Sequence, residues 1–151
     1  MLHRDSEVFT RHWSIYADHD PGAEKSDAKI YVRFSPSGWN QTFFALLDTG
    51  ASWSVLDPEL AEELGLFDVA GEPKTMLTWH GRIQGWLVPS SITLISDSGE
   101  SLECEVTVLV SRDWQKGKTI LGYLGFLERL RIAIDPDINT FYFGVKPAFA
   151  S

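Results

Sequence analysis

The sequence predicts a mostly-β fold: a small, barrel-like domain with one or two short helices. Three observations support this prediction. The chain has 151 residues, which fits one domain of about 100–200 residues. Apolar residues make up 44% and charged residues 23%, a composition typical of a packed core. Short apolar segments recur along the chain and are separated by turn-forming residues, the pattern of many short strands.

Apolar periodicity places three strands in the first half of the chain. Ile30, Val32 and Phe34 alternate with more polar residues, as in a strand with one buried face. The continuous apolar run 43–47 is typical of a strand buried on both faces. A further strand is expected over residues 8–16, and turns over 18–22 and 35–38.

One helix is expected to follow these strands. Asp57 can cap its N-terminus, Pro58 suits the first helical position, and Gly65 suits its end. Leu60 and Leu64 lie one turn apart on its buried side. The helix is therefore short.

The second half of the chain is predicted to be mostly strand. Residues 90–96 and 102–110 flank a turn at 97–100 and predict a hairpin. Residues 122–130 can form a second short helix, and residues 132–143 predict a closing hairpin. Cys104 lies on the apolar face of its strand, which favours a structural thiol over a reactive one.

Charge and cysteine content argue against several classes of protein. The chain has 13 Lys and Arg against 21 Asp and Glu, a formal charge of −8, which is the wrong sign for binding a phosphate backbone. No run approaches the about 20 apolar residues of a membrane span. The single cysteine fits a reducing compartment. We therefore expect a cytoplasmic protein that binds neither nucleic acid nor membrane.

The segment from Leu46 to Leu56 contains the clearest candidate for chemistry. An apolar strand delivers a carboxylate, Asp48, directly into a turn formed by Thr49 and Gly50. Gly50 permits a tight backbone, so that amides and the Thr49 hydroxyl can hydrogen-bond near the carboxylate. An ordinary turn after a strand is the simpler interpretation of Asp-Thr-Gly alone, but the apolar flanks and the capped helix make this combination much rarer.

The stretch Phe44-Ala45-Leu46-Leu47-Asp48-Thr49-Gly50-Ala51-Ser52, with Val55-Leu56, resembles the signature of the retropepsin-like aspartic proteases. The second half of that signature is an apolar pair followed by Gly and a short helix. Ile120-Leu121-Gly122, followed by Phe126-Leu127, looks like this element. Both motifs stand in the family's order and spacing, and the resemblance runs from about residue 30 to residue 143.

The resemblance implies a retropepsin-like fold and an aspartic endopeptidase that acts on peptides or proteins. No cofactor is expected, and no metal site either, because the sequence has no His-Glu-x-x-His motif and no Cys/His cluster. Members of this family use two aspartates that share one proton and activate a water. Because the chain offers one such aspartate, Asp48, the resemblance implies a homodimer with Asp48 of each subunit on the two-fold axis. The residues expected to support the catalytic loop are Thr49, Gly50 and Ala51, and those expected to buttress it are Ile120, Leu121 and Gly122.

A flap is expected to cover the cleft, since closure excludes water from the reaction. Residues 78–82 lie at the corresponding point, with Gly81 suited to the tip of a hairpin. Trp79, His80 and Gly81 are the expected flap residues, and Trp79 and Trp86 are expected to pack on substrate side chains. The alternative is a surface hairpin whose tryptophans only cover the domain.

Asp97-Ser98-Gly99 is a second motif of similar type. It would bring both aspartates into one chain, but Glu100 follows where the family has a small residue. A turn between two strands explains Asp, Ser and Gly equally well, and we favour the turn.

Position 51 indicates the pH range of activity. Two-lobed relatives usually place Ser or Thr there, whose hydroxyl donates to the catalytic carboxylate, whereas this chain has Ala51. Without that donor the ionised carboxylate is stabilised less, so we expect activity to reach toward about pH 5–6.

The resemblance leaves the two ends of the chain outside the protease domain, which we place at residues 29–146. Residues 1–28 form an extension that is a pro-segment, an added dimer strand or a cap over a sheet edge, and residues 147–151 form a tail. Because family members often build their dimer from terminal strands, residues 141–143 are expected to pair across the axis. A catalytically weak dimerisation or peptide-binding module of the same fold is the alternative to a protease.

Overall fold

A computed structural model describes residues 1–22 and 28–147. The expected mostly-β fold is confirmed. One α-helix, α1 (Pro58–Glu63), and two 3-10 turns (Leu66–Asp68 and Leu127–Arg129) accompany twelve strands in the described residues. In chain order the strands are β1 (Leu2–Arg4), β2 (Glu7–Thr10), β3 (His12–Ile15), β4 (Tyr31–Pro36), β5 (Phe43–Leu47), β6 (Ser54–Val55), β7 (Glu72–Thr78), β8 (Gly81–Leu94), β9 (Leu102–Val110), β10 (Ile120–Leu121), β11 (Leu130–Asp135) and β12 (Thr140–Val145).

The main sheet has seven strands in the order β4-β5-β10-β6-β9-β8-β7, and β4 also pairs with β8. Six strands therefore follow one another in a ring of pairings, from which β7 projects beside β8. The length of β8, 14 residues, makes this arrangement possible: its first half pairs with β7 and its last three residues pair with β4. The β7–β8 hairpin thus extends beyond the ring.

A smaller sheet has the order β11-β12-β3. Its central strand, β12, pairs along one edge with β11 and along the other edge with β3. The expectation that residues 141–143 pair across a dimer axis is therefore wrong for this structure, because both edges of that strand are occupied within one chain. The occupant of the second edge, β3, comes from the extension 1–28. Residues 23–27 of that extension and 148–151 of the tail lie outside the described residues.

The hydrophobic core draws on both sheets and on α1. Fully burying one large apolar side chain contributes about 1.5–3 kcal/mol to the free energy of unfolding. The cap predicted for α1 is confirmed: Asp57 accepts a hydrogen bond from the Glu59 N–H at 3.0 Å, and Pro58 holds the first helical position. The largest fully buried side chains include those of Phe34, Leu94, Val106, Leu121, Phe126, Phe141 and Phe143.

Two expected elements differ in the structure. The single strand expected over residues 8–16 is divided at Arg11 into β2 and β3. The helix expected over 122–130 is only a 3-10 turn at Leu127–Arg129. A continuous helix is interrupted in the middle of this segment, because Gly125 has a φ of +75° and Phe126 has φ −145° with ψ −80°, both outside the helical region.

In the part of the chain that the structure describes, none of the helices is long and apolar enough to cross a membrane.

Candidate active site

Asp48 lies where β5 ends and is held there by three hydrogen bonds, two between backbone groups and one to its side chain. Its N–H donates to the Leu121 carbonyl at 3.0 Å, and its own carbonyl accepts from the Ala51 N–H at 3.2 Å. The Gly50 N–H donates to Asp48 Oδ1 at 2.9 Å. Asp48 is half-buried, whereas Thr49 and Gly50 are exposed. The loop therefore fixes the carboxylate while leaving it accessible from one side.

The second motif lies directly beside the first. β10 runs parallel to β5, with Ile120 opposite Leu46 and Leu121 opposite Leu47. β10 also contacts β6 through Ile120 and Val55. The structure thus brings together two segments that are distant in sequence, as the resemblance implied.

The chain beyond β10 supports the other side of the Asp48 loop. The Tyr123 N–H donates to the Ala51 carbonyl at 2.9 Å, and the Leu124 N–H donates to the Ser52 carbonyl at 2.8 Å. The Gly122 N–H donates to the hydroxyl of Ser54 at 2.9 Å. Sequence analysis did not select Ser54. A small polar residue entering the apolar run Val55-Leu56 was the signal for it, since a fully buried hydroxyl needs a partner.

Gly122 is required by close approach rather than by turn geometry. A Cβ atom at this position would lie 2.5 Å from the Trp53 carbonyl oxygen and 2.9 Å from the Ala51 carbonyl oxygen. Both atoms belong to backbone, which cannot rotate away. Only glycine allows the segment after β10 to pack this tightly against the Asp48 loop.

A cleft of about 1080 Å³ opens over Asp48. One wall comes from Phe44, Leu46 and Leu47 of β5, and Ile120 and Trp114 line it as well. The wall around Asp48 is therefore mostly apolar, an arrangement typical of ligand sites.

The β7–β8 hairpin lines the same cleft through residues 76–80. Its tip is closed by the Thr78 hydroxyl, which donates to the Gly81 carbonyl at 2.7 Å and accepts from the His80 N–H at 3.2 Å. Gly81 has a φ of +99°, a conformation that favours glycine. Trp79 is 97% exposed. The three expected flap residues thus lie at the tip of a hairpin beside Asp48.

Trp86 is located elsewhere. It lies on β8 opposite Pro73 and Val110 and is not among the residues that line the cleft. The structure therefore does not place it where it could pack on a substrate in this cleft.

An ion pair at the end of the cleft was not predicted. Asp20, from the N-terminal extension, pairs with Lys118, and both residues line the cleft. The hydrogen bond from Lys118 lowers the pKa of Asp20 from its usual value, and a second bond from the Gly22 N–H lowers it further. The two residues are 98 positions apart, so no local pattern could reveal the pair.

Asp97 lies away from the cleft and has a structural role. Its Oδ2 accepts a hydrogen bond from the Ile15 N–H at 2.6 Å, and its Oδ1 pairs with Arg33. Burial raises the pKa of Asp97, but these two interactions outweigh burial and hold the pKa below its usual value. The turn interpretation of Asp97-Ser98-Gly99 agrees with this position.

Two further candidates contribute no site. Cys104 is buried, and burial raises its pKa to about 12, so the thiol stays protonated and unreactive. Within residues 1–22 and 28–147, no three His, Cys, Asp or Glu side chains are grouped so that they could hold a metal ion.

Comparisons with known proteins agree with this geometry. Residues 34–126 match the model of a family described as aspartyl protease. The structure is similar to a retropepsin-like aspartic protease from Rickettsia conorii, with a TM-score of 0.54 and 23% identity over 87% of this chain and 97% of that one. It is also similar to the retroviral protease-like domain of Ddi1 from Leishmania major, with a TM-score of 0.50 and 20% identity over 79% of this chain and 94% of that one. The comparison with curated proteins gave no match. Since the family model covers more than half of the sequence, the chain belongs to the aspartyl protease family and has the retropepsin-like fold.

Proposed function

We propose that this protein is an aspartic endopeptidase that hydrolyses peptide bonds with a water activated by two Asp48 carboxylates, one from each subunit of a homodimer. The observation that supports it most directly is the position of Asp48. The carboxylate is fixed by the Gly50 N–H, its loop is supported by the segment around Gly122, and it faces a cleft beneath a hairpin.

The chemistry requires a pair of carboxylates. Two carboxyl groups in close contact cannot both ionise, so one keeps a proton while the other is charged. The charged group takes a proton from water, and the water oxygen then forms a bond to the carbonyl carbon of the peptide. The protonated group donates to the carbonyl oxygen. When the C–N bond breaks, the leaving nitrogen takes a proton and the carbonyl forms again as a carboxylic acid.

The residues around Asp48 act as positioning residues in this proposal. Thr49, Gly50 and Ala51 form the loop, and Ile120, Leu121 and Gly122 hold it from the neighbouring strand. A fixed geometry lowers the entropy that must be lost in the transition state. The single chain contributes one Asp48, so the second carboxylate must come from a second copy.

The cleft is suited to an extended peptide with apolar side chains. Phe44 and Leu77 line it and are 43% and 76% exposed, and Trp79 at the hairpin tip is almost fully exposed. Closing the hairpin over a peptide would bury these side chains and exclude water. A cytoplasmic location stays part of the proposal and is supported by the single, buried cysteine.

Digestion of a peptide pool at pH 4 to 7, read by mass spectrometry, tests the proposal. We expect cleavages from the wild type and none from Asp48→Asn, which keeps the size of the side chain but cannot act as a base. Asp68→Asn is the matched control, since Asp68 is exposed in a 3-10 turn and does not line the cleft. Its cleavages should equal those of the wild type.

Mixing subunits tests whether the dyad belongs to two chains. If wild-type chains are mixed with a ninefold excess of Asp48→Asn chains and pair at random, about a tenth of the wild-type chains retain an intact partner. Cleavage should therefore fall about tenfold relative to the same amount of wild-type chains without the variant. Unchanged cleavage in the mixture would contradict the two-chain dyad, and a folded dimer that cleaves nothing would favour the peptide-binding module.

A further inference from the structure

The N-terminal extension contributes part of the cleft that contains Asp48. Its strand β3 pairs with β12. Beyond β3, the Ala17 N–H donates to the Tyr31 carbonyl at 3.0 Å, and the Tyr31 N–H donates back to the Ala17 carbonyl at 2.9 Å. Three residues later, Asp20 lines the cleft together with Asp48. The extension is therefore attached to the protease domain by backbone pairing close to the candidate site.

Lys118 reaches the same cleft from the opposite side of β5. The carbonyl of the next residue, Thr119, accepts from the Leu46 N–H at 2.9 Å along one edge of β5. β4 pairs along the other edge of β5, and Ala17 lies beyond β4. Ala17 and Thr119 are thus three strand spacings apart, about 14 Å along the sheet. The ion pair of Asp20 with Lys118 therefore bridges β5 within the cleft.

The loop that carries Lys118 is held in place by its own backbone. The Lys118 carbonyl accepts from the Trp114 indole N–H at 2.8 Å. The Gly117 N–H donates to Asp57 Oδ1 at 2.9 Å, and this oxygen also caps α1. None of these bonds involves the ammonium group of Lys118. Replacing the Lys118 side chain can therefore remove its charge without removing the bonds that position the loop.

Both charged groups of the pair are accessible to a peptide in the cleft. The side chains of Asp20 and Lys118 are 32% and 45% exposed, and they line the cleft with the apolar side chains of Phe44 and Leu46. The hydrogen bond from Lys118 lowers the pKa of Asp20, so this carboxylate is charged between pH 4 and 7. A charged peptide side chain must compete with one partner for the other, whereas an uncharged side chain need not.

We propose that the Asp20–Lys118 pair determines specificity in the cleft: it disfavours charged peptide side chains beside it and accepts uncharged ones. The inference rests on the proposed function, since it concerns the peptide in the same cleft. When Asp20 is lost, an acidic peptide side chain can take its place beside Lys118. When Lys118 is lost, a basic side chain can take its place beside Asp20. The two losses therefore shift the charge preference in opposite directions, which an ion pair with only a structural role would not do.

Matched peptides measure this preference. A peptide that the wild type cleaves is prepared with Glu, Gln or Lys at each position in turn around the cut bond. At the position beside the pair, the wild type should cleave the Gln peptide best. Asp20→Asn should raise the ratio of kcat/KM for the Glu peptide to that for the Lys peptide by about threefold to fivefold, and Lys118→Gln should lower it by a similar factor, as expected for partly exposed charges.

Two control variants separate specificity from structure. Asp20→Asn keeps an oxygen that can accept from the Gly22 N–H, which donates to Asp20 Oδ1 at 3.0 Å. The double variant of Asp20→Asn with Lys118→Gln should return the ratio to within about twofold of the wild type, because both charges are absent. Glu62→Gln removes the carboxylate from an ion pair with Arg112 outside the cleft and should leave the ratio unchanged.

The outcomes distinguish this proposal from the proposed function. A wild type that cleaves peptides, with ratios that stay unchanged in both single variants or move in the same direction, contradicts the specificity role alone. Binding of the same peptides to Asp48→Asn, measured by calorimetry, gives the charge preference without cleavage. If the wild type cleaves nothing but the ratio of Kd values shifts as predicted when each charge variant is combined with Asp48→Asn, the protease alone is contradicted. Neither cleavage nor such a shift would contradict both.

Discussion

Replacing Gly122 by alanine tests whether the close packing beneath Asp48 determines both stability and activity. The added Cβ would lie 2.5 Å from the Trp53 carbonyl oxygen, 2.6 Å from the Trp53 carbonyl carbon and 2.9 Å from the Ala51 carbonyl oxygen. All three atoms are backbone, so no side-chain rotation can relieve the contact. The loop must therefore move as a whole.

The size of the effect follows from two opposing terms. Overpacking of this kind costs about 1–3 kcal/mol, whereas alanine stabilises the chain by about 0.4–1 kcal/mol because it restricts the unfolded state. We expect the free energy of unfolding to fall by about 1–2 kcal/mol and the melting temperature by about 2–8 °C. A loop shift of half an ångström to one ångström moves Asp48 and should lower kcat by about tenfold to hundredfold.

Urea denaturation and peptide cleavage measure the two effects on the same samples. Gly22→Ala is the matched control, because the nearest atom to its added Cβ would be 3.6 Å away and belongs to the side chain of Asp20. Its stability should stay within about 0.5 kcal/mol of the wild type. A Gly122→Ala variant as stable and as active as the wild type would refute the inference that this contact positions Asp48.

Three further changes address the edge of the small sheet, the pH range and the flap. Asp97→Asn should lower the free energy of unfolding at pH 7 by about 1.5–3 kcal/mol, since Ile15 and Arg33 lose a charged partner. Because the pKa of Asp97 is lowered in the folded state, this stability is present above about pH 4 and is lost as the pH falls through the folded pKa, so the difference should shrink in urea denaturation at pH 3. Ala51→Ser should move the acidic limb of the pH–activity profile to lower pH, because the added hydroxyl can stabilise an ionised carboxylate. Trp79→Ala should lower kcat/KM at least tenfold if Trp79 packs on substrate as a flap residue. The melting temperature should not change, because the side chain is 97% exposed.

Each of these predictions has a specific contradicting result. An Asp97→Asn variant whose destabilisation is as large at pH 3 as at pH 7 would exclude the charge as its cause. A profile of Ala51→Ser that coincides with the wild type would mean that residue 51 does not influence the carboxylate. Trp86→Ala is the control for the flap, since Trp86 lies outside the cleft. Equal losses of kcat/KM in the two tryptophan variants would contradict a flap role for Trp79.

Most of the candidate site could be predicted because its parts are local in sequence. An apolar strand followed by Asp48 and Gly50 specifies a carboxylate at a strand end, and Asp57 with Pro58 specifies the start of a helix. The tip of the β7–β8 hairpin could be placed from Gly81 in the same way. Ser54 was missed, because its role depends on a hydrogen bond to Gly122, 68 residues away.

The sequence by itself determined the mostly-β class, the Asp48 loop, the capped helix and the approximate position of the hairpin. Each of these depends on neighbours within a few residues, where backbone preferences and apolar periodicity act. The tertiary structure alone decided which sheet edges are occupied. β12 lies between β11 and β3, and Asp97 closes β3 through Ile15, 82 residues away. It also decided the path of residues 122–126: the Tyr123 and Leu124 N–H groups donate to carbonyls of the Asp48 loop, and the backbone leaves the helical region at Gly125 and Phe126. Contacts of this kind depend on how distant segments meet, and no local pattern records them.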